Sequence, residues 1–233
     1  MFHLLRMQGC PIYDQLLLEE KLLREDERNW CLINYGTSPA IVMGISGKKE
    51  ELVNCSSAAQ EGVPLIKRFS GGGTVIVDEN TLFVTFICEK NLHDFLPYPE
   101  PIMKWTEGFY QEVFNPLPFS LRENDYALGD RKFGGNAQYI KKNRWLHHTS
   151  FLWDYSPQRM QHLLHPPKTP AYRQARTHTD FLCKLSPHFS NPEEVIDKIA
   201  TALQTRYPVA HHSLEEVRAS LQGSSRQSTH FLI

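Results

Sequence analysis

The sequence lacks several features that would place it in a specialised class of protein. No apolar run reaches the about 18 residues that a membrane-spanning helix needs. The five cysteines are odd in number and widely spread, without a Cys-x-x-Cys pair, which favours free thiols over a disulfide framework or a zinc site. The formal net charge of −1 gives no bulk attraction to nucleic acid or to an anionic membrane. These absences favour a soluble enzyme domain.

Metal-ligand spacings and targeting signals are also missing. The eleven histidines show no pattern typical of metal ligands, and the adjacent His147 and His148 would point to opposite faces of a strand, so we expect no metal site. The N-terminus has neither a secretory apolar region nor an Arg/Ser-rich transit stretch. We therefore expect a cytoplasmic protein, or one of an organelle matrix if a presequence has been removed. The length suits one domain, expected at residues 1–222 and followed by a polar, frayed tail at 223–233.

Strand-like segments cluster in the middle of the chain, with helical patterns before, between and after them. This order predicts an α+β fold, a mostly antiparallel β-sheet flanked by helices. Helices are expected at residues 14–24, 50–60, 101–114 and 192–206 and from Ser213, and strands at 30–33 and 40–43. Residues 75–87 predict a hairpin that turns at 78–80, and residues 119–153 predict a meander of three or four strands.

The helix starts carry recognisable capping signals. Asp14 is the expected N-cap of the first helix, whose acidic and basic face would lie opposite an apolar face of leucines at positions 17, 18 and 22. Asn191 precedes Pro192, and Ser213 precedes Glu216 by three residues in the form of a capping box.

Residues 67–75 read Lys-Arg-Phe-Ser-Gly-Gly-Gly-Thr-Val and form the first functional motif. Three consecutive glycines cost backbone entropy, so they indicate a place where a ligand approaches the main chain closely. Their N–H groups could face one anion, with Arg68 supplying the matching charge. A mobile surface turn is the ordinary alternative. The run is neither a Walker A loop nor a Gly-x-Gly-x-x-Gly turn.

A second motif begins some fifty residues later. Residues 124–138 read Asn-Asp-Tyr-Ala-Leu-Gly-Asp-Arg-Lys-Phe-Gly-Gly-Asn-Ala-Gln, and His147 and His148 begin the next strand. A glycine-rich basic turn, a single lysine on a strand and a histidine pair together suggest a site that activates a carboxylate. The Pro-rich residues 166–170 predict a mobile loop over that site.

The order and spacing of these motifs resemble those of lipoate–protein ligase A and its relatives, the lipoyl/octanoyl transferases and biotin–protein ligases. Residues 67–73 match the family's Arg-Arg-x-x-Gly-Gly-Gly signature, with lysine first, and residues 129–137 match Gly-Asp-Arg-Lys-x-x-Gly-x-Ala. The Asn-Asp at 124–125 and the histidine pair also match. The resemblance spans about residues 5–205 and implies a class II aminoacyl-tRNA synthetase/biotin ligase-like catalytic domain.

The family's chemistry implies a lipoate–protein ligase that joins lipoate or octanoate to a carrier lysine through an acyl-adenylate, with ATP and Mg²⁺. The implied carriers are apo lipoyl domains of 2-oxoacid dehydrogenases or the glycine-cleavage H protein. No nucleic acid or membrane partner is implied, and we expect a monomer. Lys132 matches the essential lysine, which would bridge the phosphate and the acyl carbonyl oxygen. The other residues implied to bind ATP or the lipoyl-adenylate are Arg68, Ser70, Gly71, Gly72, Gly73, Thr74, Val75, Asn80, Asp125, Gly135, Ala137 and His148.

These residues also have ordinary interpretations. Without its motif Lys132 would be a solvated strand lysine, Arg68 a surface arginine and Asp125 a turn residue. His148 would be a satisfied core histidine. The surrounding motif favours the functional interpretation of Lys132.

Some departures from the family keep alternatives open. Residues 44–48 read Gly-Ile-Ser-Gly-Lys where the family has Gly-Arg-x-Gln-Asn, and Thr149 stands where a glycine is usual. The accessory C-terminal domain of bacterial ligases has no counterpart in residues 1–222, so a separate accessory protein is one alternative. Another is an ATP-independent lipoyl/octanoyl transferase that uses Cys183 as a thioester nucleophile, although a buried apolar cysteine is the ordinary interpretation. The third is a non-catalytic lipoyl-domain binder.

Overall fold

Two β-sheets form the framework of the protein, for which a computed structural model describes residues 1–167, 169–221, 223 and 226–232. In this part of the chain the larger sheet has eight strands: β1 (Phe2–Gln8), β2 (Asn29–Tyr35), β6 (Thr81–Glu89), β7 (Phe119–Arg122), β8 (Asp125–Leu128), β9 (Arg131–Ile140), β10 (Arg144–Leu152) and β11 (Val209–His212). They lie in the order β11-β1-β2-β6-β10-β9-β8-β7. Only the pairs that include β1 are parallel among these described strands, so the predicted α+β class is confirmed, as is the meander from β7 to β10.

The smaller sheet contains the last described segment of the chain. Its strands are β3 (Ala40–Met43), β4 (Leu65–Lys67), β5 (Thr74–Val77) and β12 (His230–Leu232), in the order β12-β4-β3-β5. The prediction of a frayed tail is wrong for residues 228–232. β12 pairs with β4, and the backbone N–H groups of Ser228 and Thr229 donate to the buried carboxylate of Glu20 at 3.0 and 3.2 Å. Residues 222, 224, 225 and 233 of the predicted tail lie outside the described residues.

The predicted hairpin at residues 75–87 is also wrong. Both strands form, but β5 pairs with β3, whereas β6 lies between β2 and β10 in the other sheet. At the turn the Asp78 carboxylate accepts hydrogen bonds from the Asn80 N–H and from Arg159, each at 2.9 Å. These contacts hold the chain where it crosses from one sheet to the other. When both faces of a strand are buried, its hydrophobic pattern does not indicate which strand it pairs with.

The helices are α1 (Ile12–Glu25), α2 (Lys49–Leu52), α3 (Cys55–Gln60), α4 (Pro99–Phe114), α5 (Pro157–Met160), α6 (His178–Phe181), α7 (Pro192–Arg206) and α8 (Leu214–Ser220). α7 is capped by Asn191, and Ser213 forms the predicted capping box with Glu216. The helix expected at residues 50–60 is instead the two short helices α2 and α3. The Asn54 side chain accepts a hydrogen bond from the Ser57 N–H and starts α3 anew. None of the helices within the described residues is both long and apolar enough to cross a membrane.

α1 packs against both sheets and differs from its prediction. Leu18 and Leu22 contact the larger sheet, whereas Ile12 and Leu16 contact the smaller one. The helix begins after Pro11, so Asp14 lies in the first turn and is not the N-cap. The acidic and basic face includes Glu19 and Glu20, both with 0% exposure. Hydrophobic periodicity alone cannot reveal such burial, because it depends on polar partners from distant segments.

The other face of the larger sheet is covered by α4 and α7. Aromatic rings fill this layer, and Phe86, Tyr110, Phe114 and Phe151 meet edge to face or tilted at centroid distances of 5.0 to 6.3 Å. This layer holds the central strands rigid on the side that faces away from α1.

Candidate active site

A cavity of about 650 Å³ opens between the two sheets, beside α1. Part of its wall is aliphatic and aromatic, formed by Ile12, Leu16, Val42, Val77 and Phe83. The rest of the wall contains the glycine run, residues of β9 and β10, and residues from 163 to 182, and it combines further apolar side chains with the charged Asp125 and Lys132. A cavity with one apolar part and one charged part can hold a ligand that has an apolar chain and a charged group.

The segment predicted to cover the site does contribute to the cavity. Pro166, Thr169 and Pro170 line it. Lys168 lies outside the described residues.

The glycine run is held in shape by Arg68, which is only 4% exposed. Its Nη2 donates to the carbonyl oxygens of Gly71 and Gly73 at 2.7 and 2.9 Å, and its Nε donates to Ser70 Oγ at 3.0 Å. Burial lowers the pKa of the guanidinium to about 10, which still leaves it charged at neutral pH. The guanidinium therefore organises the loop from inside. The predicted contact of Arg68 with phosphate stays a prediction.

Close packing explains the glycines at two positions of this region. Gly72 has φ of +104°, and a Cβ there would lie 2.7 Å from Arg68 Nη2 and 3.1 Å from Ala137 Cβ. At Gly44, the first residue of the divergent segment 44–48, a Cβ would lie 2.2 Å from the Gly72 carbonyl oxygen. Gly71 and Gly73 leave open space, with nothing within 4 Å of a built Cβ. The run therefore combines one sterically required glycine with two positions that give access to the main chain.

His148 links the glycine run to α1. Its Nδ1 lies 2.9 Å from Glu19 Oε2, and its Nε2 lies 3.2 Å from Ser70 Oγ. The carboxylate assigns the proton to Nδ1, so in the neutral imidazole Ser70 donates to Nε2. Glu19 also accepts hydrogen bonds from Gln15 and Thr85 at 2.8 and 2.7 Å. The buried carboxylate is therefore satisfied, and His148 has a fixed orientation at the cavity wall.

Lys132 projects from β9 into the polar part of the cavity. Its Nζ pairs with Asp125 Oδ1 on β8 at 2.7 Å, and the two side chains are 23% and 10% exposed. Asp125 Oδ2 accepts a hydrogen bond from the Tyr172 hydroxyl at 2.9 Å. Burial and the Asp125 charge raise the Tyr172 pKa, so this hydroxyl keeps its proton. The ammonium is thus positioned by an ion pair and remains partly open to a ligand.

Small residues on β9 keep the space beside Lys132 open. A Cβ at Gly135 would lie 3.3 Å from Lys132 Nζ. On the next strand the buried Thr149, which stands where the family has glycine, donates to Asn136 Oδ1 at 2.6 Å. The departure at Thr149 therefore adds a side-chain hydrogen bond between β9 and β10.

Not every predicted residue reaches the cavity. Arg68, Gly71, Gly72, Gly73, Thr74, Val75, Asp125, Lys132, Gly135, Ala137 and His148 line it. Ser70 is fully buried behind the wall, and Asn80 lies in the turn between the sheets. Cys183 is buried, and its Sγ donates to the Arg131 carbonyl oxygen at 3.3 Å, away from the cavity lining. Burial raises the Cys183 pKa, which disfavours the thiolate that a nucleophile needs.

The two histidines point to opposite sides of β10, as predicted. His147 lies on the side of the aromatic layer, with its ring nitrogens near Gln138 at 3.1 Å and Tyr126 at 3.4 Å. Burial lowers its pKa to about 3.

Comparison with known proteins agrees with this geometry. Residues 11–204 match the lipoyl protein ligase A/B catalytic domain. The chain belongs to this family. One relative of this lipoyl ligase domain is a Plasmodium falciparum protein named inactive lipoate–protein ligase 2, 29% identical over 81% of this chain and 65% of the relative. Another is the lipoate-protein ligase LplJ of Bacillus subtilis, 29% identical over 60% of this chain and 42% of the relative. The chain thus spans less than two thirds of each.

Solved structures of the same fold are also similar to this lipoyl ligase domain. A bi-partite lipoate protein ligase from Thermoplasma acidophilum superposes with a TM-score of 0.77 at 16% identity, covering 94% of this chain and 89% of that one. A lipoate-protein ligase A bound with ATP superposes with a TM-score of 0.76 at 16% identity, covering 94% and 91%. At this identity the likeness establishes the catalytic-domain fold.

Several cavity residues were not predicted from the sequence. They are Gln15 and Glu19 on α1, Asn136, Gln138 and Thr149 on the central strands, and Arg173 and His178 after the meander. The pattern of charged and apolar residues in α1 gave no indication that Glu19 reaches the cavity, because in the sequence Glu19 resembles an ordinary surface residue. Arg173 and His178 lie in a polar segment without periodicity, where sequence patterns carry little information.

Proposed function

We propose that this protein attaches lipoate or octanoate to a lysine of a carrier protein through an acyl-adenylate made from ATP. The observation that supports this most strongly is Lys132, held 2.7 Å from Asp125 in a cavity that joins an apolar wall to the glycine run. An acyl chain suits the apolar wall, and the carboxyl group then lies toward the ammonium. Membership of the lipoyl ligase family supports the same substrate class.

The reaction has two steps. In the first, a carboxylate oxygen attacks the α-phosphorus of ATP, the bond to pyrophosphate breaks, and the mixed anhydride acyl-AMP forms. In the second, the carrier amine attacks the acyl carbon, the anhydride C–O bond breaks, AMP leaves with the electron pair, and the amine loses its proton. Negative charge develops on the phosphate and on the carbonyl oxygen. Lys132 is placed to stabilise both, because a compact ammonium can contact two oxygens at once.

The glycine run leaves room for the adenylate at the cavity wall. Gly71 and Gly73 leave their backbone open to the cavity, so their N–H groups can approach phosphate oxygens without a side chain between them. Arg68 fixes the carbonyl groups of Gly71 and Gly73, so the opposite N–H groups of the same peptide bonds, those of Gly72 and Thr74, face away from the guanidinium.

Magnesium would enter with the nucleotide. No group of three histidine, cysteine, aspartate or glutamate side chains that could hold a metal ion occurs within the residues described. The carboxylates of Glu19 and Asp125 at the cavity are already hydrogen-bonded to His148 and paired with Lys132. These donors do not fit a resident metal site, so we assign no step to a metal that the protein holds.

The proposed carriers are lipoyl domains or the glycine-cleavage H protein. The Thermoplasma ligase of the same fold belongs to a lipoylation system with an E2 lipoyl domain, which supports this class of partner. The name of that ligase describes a bi-partite enzyme, and a separate accessory protein therefore stays part of the proposal.

The missing Gly-Arg-x-Gln-Asn segment favours a second candidate, a lipoyl-domain binder without catalysis. Ile45 occupies the arginine position and is 48% exposed, and a relative by sequence is named inactive. Against it stands the Lys132–Asp125–Tyr172 arrangement, which has no evident use in a protein that only binds a carrier. The Cys183 transferase is disfavoured because that thiol lies away from the cavity lining.

One experiment tests these proposals together. The purified chain is incubated with an apo lipoyl domain and with apo H protein, either with lipoate and Mg-ATP or with synthetic lipoyl-adenylate, and acylation is followed by intact-protein mass spectrometry. We expect acylation and AMP release in both arms. Acylation only from the adenylate would confine the protein to the second step. Carrier binding without acylation in either arm, by a folded protein, would contradict the proposal and support the binder.

A further inference from the structure

Arg173 is a buried cation at the cavity that no motif identified. It ends the short 3₁₀ turn Ala171–Arg173, immediately after Pro170, and its side chain is 4% exposed. Both Arg173 and Pro170 line the same cavity as Lys132. The segment predicted as a loop over the site therefore brings a guanidinium to the polar part of the cavity.

The guanidinium is incompletely satisfied. Its Nε donates to the Arg176 carbonyl oxygen at 3.0 Å, and its Nη2 is buried with no hydrogen-bond partner within the described part of the chain. The ring of Phe181 lies 5.1 Å from its central carbon, which gives a cation–π contact but no counter-charge. Burial lowers the pKa of Arg173, and the charge of Asp125 opposes that shift. A buried cation that forms no ion pair within the described residues is costly, so it indicates that an anion binds here.

Two cations, Lys132 and Arg173, and two carboxylates, Asp125 and Glu123, line this part of the cavity. Asp125 is already shared between Lys132 at 2.7 Å and Tyr172 at 2.9 Å. His178 also lines the cavity, and burial together with the charge of Arg173 lowers its pKa to about 4, so it is neutral at pH 7. The exposed Glu123 accepts a hydrogen bond from the Ala171 N–H at 2.7 Å. Within the described residues, Asp125 is therefore paired with Lys132, and Arg173 makes no ion pair with either carboxylate.

We propose that Arg173 binds the phosphate of the acyl-adenylate, opposite Lys132, as a second cationic clamp on the mixed anhydride. This inference rests on the proposed function and adds a residue to it. A planar guanidinium whose Nη2 is unpaired within the described residues matches phosphate oxygens in a way that a single ammonium does not. When the anhydride C–O bond breaks and AMP takes the electron pair, the negative charge on the phosphate grows, and Arg173 stabilises that change.

Binding measurements test this role without depending on turnover. Calorimetry compares lipoyl-adenylate with an analogue in which an uncharged carbamate linker replaces the phosphate. We expect Arg173→Met to weaken lipoyl-adenylate binding roughly ten- to a hundredfold, the range for a charge-assisted hydrogen bond, and to leave the uncharged analogue unchanged. Arg173→Lys should be intermediate. Arg122→Gln is the matched control, because this exposed arginine lies 5.5 Å from the Tyr172 ring, outside the cavity lining, and should have no effect.

The outcomes separate this inference from the proposed function. If the wild-type chain binds neither compound, the proposed function fails first. If the wild-type chain binds lipoyl-adenylate and Arg173→Met binds it equally well, Arg173 does not contact the phosphate and the inference is wrong. Should Arg173→Met not fold, Arg173→Gln and Arg173→Lys replace it with the same two compounds. A loss of lipoyl-adenylate binding that spares the uncharged analogue in either folded variant supports Arg173, and unchanged binding in both overturns the clamp.

Discussion

Replacing Lys132 with alanine is the most direct test of the site. Its ammonium lies in the cavity beside Gly135 and is 23% exposed, so the substitution removes a charge without opening the core. At about 4 Å and an effective dielectric constant of about 20, the attraction between two unit charges is about 4 kcal/mol. Because the anionic charge develops during the reaction, most of this attraction applies in the transition state. We therefore expect carrier acylation to slow by roughly two to three decades or more.

The same variant should still fold, although it should be less stable. The substitution leaves the buried Asp125 carboxylate without its ion pair, which should lower the free energy of unfolding by about 1–3 kcal/mol. Asp125 keeps the hydrogen bond from Tyr172. Lys132→Arg should not restore activity, because a planar fork cannot occupy the same point between two oxygens.

Single-turnover transfer from preformed lipoyl-adenylate to an apo carrier measures this effect apart from ATP activation. Lys142→Ala is the control, because that lysine is exposed in the turn between β9 and β10 and its substitution removes the same charge. Thermal unfolding confirms that each variant is folded. A folded Lys132→Ala protein that acylates its carrier at the wild-type rate would refute the placement of the site.

Three further predictions follow from the geometry. Gly72→Ala should lower the free energy of unfolding by roughly 1–3 kcal/mol in urea titrations, because φ is +104° and the new Cβ meets Arg68, whereas Gly71→Ala should be nearly neutral. Cys183→Ser should retain full acylation activity in the carrier assay, and a loss greater than tenfold in a folded variant would support the transferase. His147 has its pKa lowered to about 3 in the folded protein, against about 6.5 when unfolded. The unfolded state therefore binds the proton first, so stability present above pH 6.5 should fall as pH is lowered toward 3, and His147→Gln should flatten this dependence in urea titrations at several pH values.

Local signals in the sequence predicted the parts of the fold that depend on neighbours in the chain. The capping residues of α7 and α8 satisfy N–H groups within one turn, so Asn191 and Ser213 could be assigned from the sequence. The meander β7–β10 joins strands through short turns, and its alternation is equally local. Lys132 was found because the whole motif around it lies on this meander.

Contacts between distant segments explain why some sequence-based predictions of the fold were wrong. β5 and β6 are adjacent in the chain but belong to different sheets. β5 pairs with β3, and the hydrogen bond between Asp78 and Arg159, 81 positions apart, holds the turn between the two strands. The pairing of β12 with β4 joins positions more than 160 residues apart, and no local pattern could indicate it. Arg173 could not be assigned for the same reason, because its role depends on the cavity that it reaches and not on neighbouring residues in the sequence.

Glu19 shows how these distant contacts complete the site. The glycine run leads into the smaller sheet, whereas Lys132 and His148 belong to the larger one, so the two motifs need a physical connection. Glu19 provides it from α1: its carboxylate holds His148 on β10 and Thr85 on β6, and His148 in turn contacts Ser70, which Arg68 also holds. The chain of contacts from α1 to Arg68 is buried, so each member depends on the next for its hydrogen bonds. The position of the glycine run relative to Lys132 therefore depends on a carboxylate some fifty residues before the first motif.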